Sequence, residues 1–150
     1  MRGEAPTLTW TTTRVSEGGK RQANATVLIA VPASCLNGSA GAVTESLGAV
    51  CARYRSQVSV YINCFSGGPE DESAVKNCVA LRPCRRVATS RWPGMKGLFW
   101  KQALSAGAWR EDFLWLMDAD VDAATLRLDR ALEAMRRAEV QSLEFRLLHA

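Results

Sequence analysis

The stretch FLWLMDADVD, residues 113–122, decides how the whole chain is interpreted. Five large apolar residues run directly into three aspartates spaced two apart, Asp118, Asp120 and Asp122. Because a packed sheet has no place for charge inside such a run, the carboxylates must lie where the strand leaves the core. We therefore predict a buried strand over residues 113–117 with chemistry at its carboxyl end.

Two earlier runs, residues 25–31 (ATVLIAV) and 58–65 (VSVYINCF), are rich in β-branched and aliphatic residues, which is typical of strands buried on both faces. Apolar residues recur at helical spacing over residues 42–55, 95–109 and 124–138. Strands that alternate with helices predict an α/β fold, a Rossmann-like parallel sheet with flanking helices in which the three apolar runs are neighbouring strands. Ligands of such sheets bind outside the carboxyl ends of the strands.

The remaining segments carry weaker signals. Residues 1–24 are rich in Thr, Gly, Arg and Ser without a sustained period, which indicates a polar, poorly ordered tail before one domain over residues 25–150. A short further strand is predicted at either 78–81 or 87–89. The closing residues 140–150 (VQSLEFRLLHA) have the pattern of one more strand, cut short.

Composition limits the classes of partner. An apolar fraction of 47% in 150 residues is ordinary for one globular domain. The net charge of +4 is too mild and too dispersed to make nucleic acid the expected partner, and anionic small ligands fit it equally well. No apolar run approaches the ~18 to 20 residues of a membrane span, and the start MRGEAPTLTW lacks the apolar region of a signal peptide. We therefore expect neither a nucleic-acid partner nor a membrane segment in this chain.

Cysteine usage and two sequons bear on the compartment. The five cysteines form no CxxC pair and have no histidine nearby, so a zinc site is not credible and most are expected to be buried thiols. Asn24-Ala25-Thr26 and Asn37-Gly38-Ser39 match the glycosylation sequon, which matters only in a secretory lumen.

The aspartates that end the predicted strand suit one kind of ligand. A turn at the strand end can bring Asp118 and Asp120 toward one ligand. Hard carboxylate oxygens favour Mg²⁺ or Mn²⁺, and such ions take substrate phosphates as further ligands. The pattern therefore predicts a metal-bridged diphosphate. Asp122 is either a third metal ligand or the N-cap of the helix that starts near Ala124.

With this strand and its Asp-x-Asp motif, the chain resembles nucleotide-sugar-dependent glycosyltransferases of the GT-A fold. It is similar to a domain group of unknown function with glycosyltransferase-like character, on three quoted segments: WPGMKGLFWKQAL (92–104), DFLWLMDADVD (112–122) and ALEAMRRAEVQSLEF (131–145). The resemblance implies that Asp118 and Asp120 hold Mn²⁺ or Mg²⁺ on a nucleotide-diphospho-sugar donor, and that the loop after the first strand contacts the nucleotide.

Such transferases are longer, because the acceptor site and any general base come from sequence after the Asp-x-Asp half. Here about thirty residues follow the motif. We therefore expect a GT-A-like half domain that binds a nucleotide with metal but transfers sugar poorly to its unknown acceptor. A longer form with an anchor would place it in the Golgi lumen, and without an anchor the cytoplasm is expected.

Two alternatives stay open. A phosphatase or phosphotransferase of the haloacid-dehalogenase type also has an apolar strand that ends in Asp-x-Asp, with an aspartyl nucleophile, but its motif normally lies on the first strand. The other alternative is a non-catalytic remnant or interaction module that keeps the fold. Neither a GxGxxG nor a P-loop is present, and the single histidine, His149, is near the chain end, which argues against dinucleotide, triphosphatase and histidine-triad enzymes.

Basic residues are further candidates for contacts with an anionic ligand, and the aromatic residues have a packing role as the alternative to ligand binding. Lys96 and Lys101 would contact donor phosphates or simply lie on a solvated helix face. The arginines of the 82–91 region would meet an anionic ligand or lie on the surface, and the tryptophans are expected to pack in apolar clusters.

Overall fold

The computed structural model describes residues 7–11, 25–94, 98–101, 110–138 and 142–146. Its strands are β1 (Thr7–Thr11), β2 (Val27–Ser34), β3 (Val58–Ser66), β4 (Val87–Arg91), β5 (Phe113–Leu116) and β6 (Ser142–Arg146). Its α-helices are α1 (Gly41–Arg53), α2 (Pro69–Lys76) and α3 (Leu128–Ala138), and residues 98–101 are also helical.

The six strands form one sheet in the order β4-β3-β2-β5-β1-β6. The four strands β4, β3, β2 and β5 run parallel to one another. The fold is therefore α/β with a Rossmann-like parallel sheet and flanking helices, as the sequence predicts. The three apolar runs are neighbours, because β2 pairs with β3 on one side and with β5 on the other.

Strand β1 lies in the segment that the sequence assigns to a polar tail, and here the structure differs from the prediction. Thr7–Thr11 pairs antiparallel with β5, with Trp10 opposite Trp115, and antiparallel with β6 on its other side. Its sequence TLTWT alternates threonine with apolar residues, which is the period of a strand, but five residues are too few to stand out in a polar segment.

The parallel strands bury both faces, as continuous apolar runs predict. One face, with Val27, Ile29 and Trp115, belongs to the larger cluster of buried side chains, which α1 and the start of α3 complete. The other face carries Leu28, Ala30 and Leu114, which pack with Phe99 and neighbouring aromatic rings. Trp92, Trp100 and Trp115 pack in these clusters, as expected, whereas Trp109 lies outside the described residues.

The structure gives the bounds of several helices and strands that the sequence predicts only approximately. The further strand is β4, whereas Val79–Leu81 forms a 3₁₀ turn. The predicted helix over 124–138 is split into a 3₁₀ turn at Ala123–Thr125 and the helix α3. The predicted helix over 95–109 is described only at residues 98–101, where it is helical.

The expectation that most cysteines are thiols is wrong. Cys35 bonds to Cys64 and Cys51 to Cys84, and Cys78 is the free cysteine. The pairs are 29 and 33 residues apart in sequence, so local spacing gives no sign of them. The pairing of β2 with β3 brings Cys35 to Cys64, whereas Cys51 of α1 bonds to Cys84 in the loop before β4. Among the described residues, no helix has both the length and the apolar composition of a membrane span.

Candidate functional site

A cavity of about 480 Å³ lies at the carboxyl edge of the sheet. Its described lining comes from the ends of all four parallel strands or from the residues just after them: Pro32, Phe65, Pro93, Gly94, Asp118, Ala119 and Asp120. The chain passes from β2 to β3 and β4 in one direction and returns to place β5 on the other side of β2. This reversal of strand order opens a crevice at the carboxyl edge, which is where open α/β sheets bind their ligands.

A tight turn brings the two predicted aspartates to this cavity. The last bond between β2 and this part of the chain joins the Met117 N–H to the Ala30 carbonyl at 3.0 Å. The chain then turns, and the Val121 N–H donates to the Asp118 carbonyl at 3.2 Å. Asp118 and Asp120, which lie two residues apart at this turn, line the same cavity.

The two carboxylates differ in exposure. Asp118 is half-buried, and its Oδ1 atom is shielded from solvent, whereas Asp120 is exposed. The cavity therefore has one half-buried acid and one exposed acid. This combination suits a ligand that enters from solvent and is held at its inner end.

Asp122 is placed differently. Its Oδ1 accepts a hydrogen bond from the Ala124 N–H at 3.0 Å, so it caps the 3₁₀ turn at Ala123–Thr125. It is exposed and does not line the cavity. Of the two alternatives that the sequence leaves open for Asp122, the contacts favour the cap over the third metal ligand.

The residues present fit a hard divalent cation only in part. Two carboxylates in one cavity are a plausible protein contribution to Mg²⁺ or Mn²⁺, since such ions commonly take one or two carboxylates and complete their shell with water and phosphate oxygens. Over the described part of the chain, no group of three or more His, Cys, Asp or Glu side chains could hold a metal. Metal affinity of the protein alone is therefore expected to be weak.

Two apolar residues, Pro32 and Phe65, also line the cavity. Pro32 lies inside a central strand, where a missing N–H would normally break the ladder. In β2 the backbone N–H groups of odd-numbered residues point toward β3, as that of Val27 does. The backbone nitrogen of Pro32 therefore points to the other side, toward β5, but it lies beyond the end of β5 at Leu116. The missing N–H of Pro32 therefore costs the sheet no hydrogen bond. Phe65, near the end of β3, leaves 46% of its surface exposed, which is unusual for a large aromatic residue on a central strand.

A series of hydrogen-bonded polar side chains positions the segment that brings Pro93 and Gly94 to the cavity wall. Asn63 is fully buried on β3, and its Nδ2 donates to the Trp92 carbonyl at 3.0 Å. Its Oδ1 accepts from Ser90 Oγ at 2.8 Å, and the Tyr61 hydroxyl pairs with the same Ser90 hydroxyl at 3.0 Å. The segment after β4 is thus attached to the interior of the sheet.

The ends of β2 and β3 are fastened to each other beside the cavity. The Cys35–Cys64 disulfide joins them, the Cys35 N–H donates to the Ser66 carbonyl at 3.1 Å, and the Ser34 and Ser66 hydroxyls are 2.6 Å apart. Pro32 and Phe65 are therefore carried by a rigid pair of strand ends.

The predicted basic residues are not brought to the described lining. Arg82, Arg85 and Arg86 precede β4 at the amino edge of the sheet, opposite the cavity, and Arg91 pairs with Glu72 at 3.3 Å. Lys101 is exposed and does not line the cavity. Lys96, the predicted donor-phosphate contact, lies outside the described residues, as does His149.

At the amino edge, Glu111 and Arg86 form a two-point ion pair, with Oε1–Nε at 3.0 Å and Oε2–Nη2 at 2.9 Å. Burial raises the pKa of Glu111, but hydrogen bonds from Ser59, the Arg110 N–H and Arg86, together with the Arg86 charge, outweigh it and lower the pKa below its ordinary value. Perturbed acids often mark functional sites, but this one lies at the opposite edge from the cavity and joins the starts of β4 and β5.

Sequence reasoning missed Phe65, Asn63 and the Pro93-Gly94 wall. A usable signal existed for Phe65 and Asn63, since both are among the last residues of a predicted central strand, near the edge of the sheet where ligands bind. The wall had no such signal, because its placement depends on long-range hydrogen bonds.

Comparison of the chain with protein-family models, with curated proteins and with solved structures gave no match. Function must therefore be argued from the cavity and its residues.

Proposed function

We propose that this chain binds a nucleotide-diphospho-sugar at the carboxyl edge of its sheet, as the donor-binding half of a metal-dependent, GT-A-like glycosyltransferase. The observation that carries the proposal is that Asp118 and Asp120 line one cavity at the switch point of the strand order. The acceptor is unknown.

The charge of the cavity supports a cation between protein and donor. Its described lining contains two carboxylates and neither lysine nor arginine. A bare diphosphate would be repelled by these acids, so a divalent ion held by Asp118 and Asp120 is needed for it to bind. When bound, Mn²⁺ or Mg²⁺ would offset the charge of the leaving nucleoside diphosphate.

The apolar part of the lining supports a flat group in the ligand. The exposed ring of Phe65 offers a surface on which a nucleobase or sugar ring can stack. Two acids and an aromatic ring in one cavity match a ligand with a charged part and a planar part. A simple phosphoester has no planar part, so it uses only half of this cavity.

Isothermal titration calorimetry tests the proposal. Uridine or guanosine diphosphate is titrated into the chain with and without Mn²⁺, using the wild type, Asp118→Asn, Asp120→Asn and the double variant. We expect nucleotide binding that needs Mn²⁺ and is lost in the double variant. Asp122→Asn is the matched control, because it removes the same charge nearby, keeps a good N-cap and lies outside the cavity lining.

Equal binding by the double variant and the control would contradict the proposal. So would Mn²⁺-dependent release of phosphate from a generic phosphoester that the double variant abolishes, because this would favour the phosphatase alternative. Sugar transfer is measured separately, with a panel of nucleotide sugars and acceptors.

A further inference from the structure

We propose that Asn37 carries an N-linked glycan and that the chain folds in an oxidising secretory lumen. The inference does not depend on the proposed nucleotide site. It rests on three observations: the cysteine pairing, the exposure of the Asn37-Gly38-Ser39 sequon, and the open space around that turn.

The cysteine pairing indicates the compartment. Two disulfides use four of the five cysteines, and Cys35, Cys51 and Cys64 are almost fully buried. Disulfides that form part of a protein core persist in oxidising compartments and are rare where thiols are kept reduced. The Asn37-Gly38-Ser39 sequon would not be glycosylated in a reducing cytosol, but it can be glycosylated in an oxidising secretory lumen.

The turn that holds the sequon can carry a large group. Residues 36–39 are all exposed, and Leu36–Gly38 forms a 3₁₀ turn after β2 with Ser39 as its C-cap. Asn37 adopts a left-handed conformation with φ of 50°, which asparagine tolerates better than most residues and which occurs in surface turns. A Cβ placed on Gly38 would meet nothing within 4 Å, so the space beside Asn37 is open.

The two sequons are not equivalent. Asn24 lies outside the described residues, while Thr26 is tied to the sheet, since its N–H and hydroxyl both contact Asp112 Oδ2, at 2.9 and 3.2 Å. Ser39 is exposed at a turn, and its hydroxyl donates to the Ser34 carbonyl at 2.8 Å. Asn37 is therefore the sequon asparagine that the structure describes, and its turn is exposed.

The modification is a glycosyl transfer to the chain. The carboxamide nitrogen of Asn37 forms the bond to the anomeric carbon of a lipid-diphosphate-linked oligosaccharide, and the lipid diphosphate leaves with the electron pair of the broken C–O bond. The amide proton passes to the base of the transferase. Because Ser39 is hydrogen-bonded in the folded turn, the transfer is expected before this turn closes.

Mass spectrometry of the protein purified from the cells that make it tests the inference. We expect the peptide containing Asn37 to carry hexose and N-acetylhexosamine, measured on the intact glycopeptide so that spontaneous deamidation of Asn37-Gly38 is not mistaken for it. Alkylation of the folded chain is expected at Cys78 alone, with all five cysteines reactive after reduction. An unmodified Asn37, or five reactive thiols before reduction, would overturn the inference.

Variants directed into the secretory pathway of a eukaryotic cell provide the second measurement. Asn37→Gln and Ser39→Ala should abolish the endoglycosidase-sensitive mobility shift that belongs to this site, whereas Ser39→Thr, which keeps the sequon, should retain it. Asn24→Gln is the matched control, since it removes the other sequon and keeps the hydrogen bonds between Thr26 and Asp112. A shift unchanged by Asn37→Gln would also count against the proposal.

Discussion

The side-chain amide of Asn63 donates a hydrogen bond to the backbone carbonyl of Trp92 across 3.0 Å. Asn63 is an interior residue of β3, whereas Trp92 begins the segment that carries Pro93 and Gly94 into the cavity wall. One wall of the candidate site is therefore positioned by a buried polar side chain rather than by the loop itself.

We predict that Asn63→Leu destabilises the protein and weakens nucleotide binding together. The substitution leaves the Trp92 carbonyl and the Ser90 hydroxyl without their Asn63 partner, and each such loss costs about 1 to 3 kcal/mol. Urea unfolding gives the stability, and calorimetry with Mn²⁺ gives the affinity. Asn77→Leu, at an exposed position at the end of α2, is the control, and an Asn63→Leu variant as stable as this control would refute the prediction.

The Phe65 ring is predicted to contribute to ligand affinity but little to stability. Stacking of a base on an aromatic ring is worth about 1 to 3 kcal/mol, so Phe65→Ala should weaken nucleotide binding by one to two orders of magnitude. Its melting temperature should change little, since the ring is half exposed. Val79→Ala, which truncates an exposed apolar residue away from the cavity, serves as the comparison, and equal affinities of the two variants would exclude stacking on Phe65.

The Glu111–Arg86 pair is predicted to make stability depend on pH. Because the folded-state pKa of Glu111 is lowered, its contribution is complete above the ordinary carboxyl pKa of 4.5 and is lost as pH falls through the folded-state value. Glu111→Gln should cost about 2 to 3 kcal/mol at neutral pH, below the range for fully buried pairs, since Arg86 is 43% exposed and can be hydrated.

Thermal unfolding as a function of pH measures this effect. The difference between wild type and Glu111→Gln should shrink in acid, whereas Glu45→Gln, on the exposed face of α1, should match the wild type throughout. A difference that stays constant across the acid range would show that the pair does not titrate as its geometry implies.

Two glycines of α1 are predicted to respond oppositely to alanine. A Cβ at Gly48 would lie 2.2 Å from the Ala80 carbonyl oxygen, so Gly48→Ala must separate α1 from the Val79–Leu81 turn, at a cost of about 1 to 3 kcal/mol. At Gly41 nothing lies within 4 Å, so Gly41→Ala should leave stability unchanged or raise it by up to about 1 kcal/mol. Denaturant unfolding of both variants measures the difference, and equal stabilities would contradict the close packing of α1.

Much of the fold was predictable because its strongest signals are local. The apolar runs at residues 25–31, 58–65 and 113–117 are long enough to identify the central strands. The helical segments between these runs indicate crossover connections between parallel strands. Strand β1 was missed because five alternating residues in a polar segment become a strand only when β5 and β6 pair with them.

The sequence by itself determined the central strands and the end of β5 where the aspartates leave the core, because charge cannot follow an apolar strand inside a sheet. Only the tertiary structure decided that Asp118 and Asp120 share a cavity with Phe65 while Asp122 caps a turn, and that four cysteines are paired. These outcomes depend on contacts between residues far apart in the chain, and the order of the strands, which local spacing does not encode, sets those contacts.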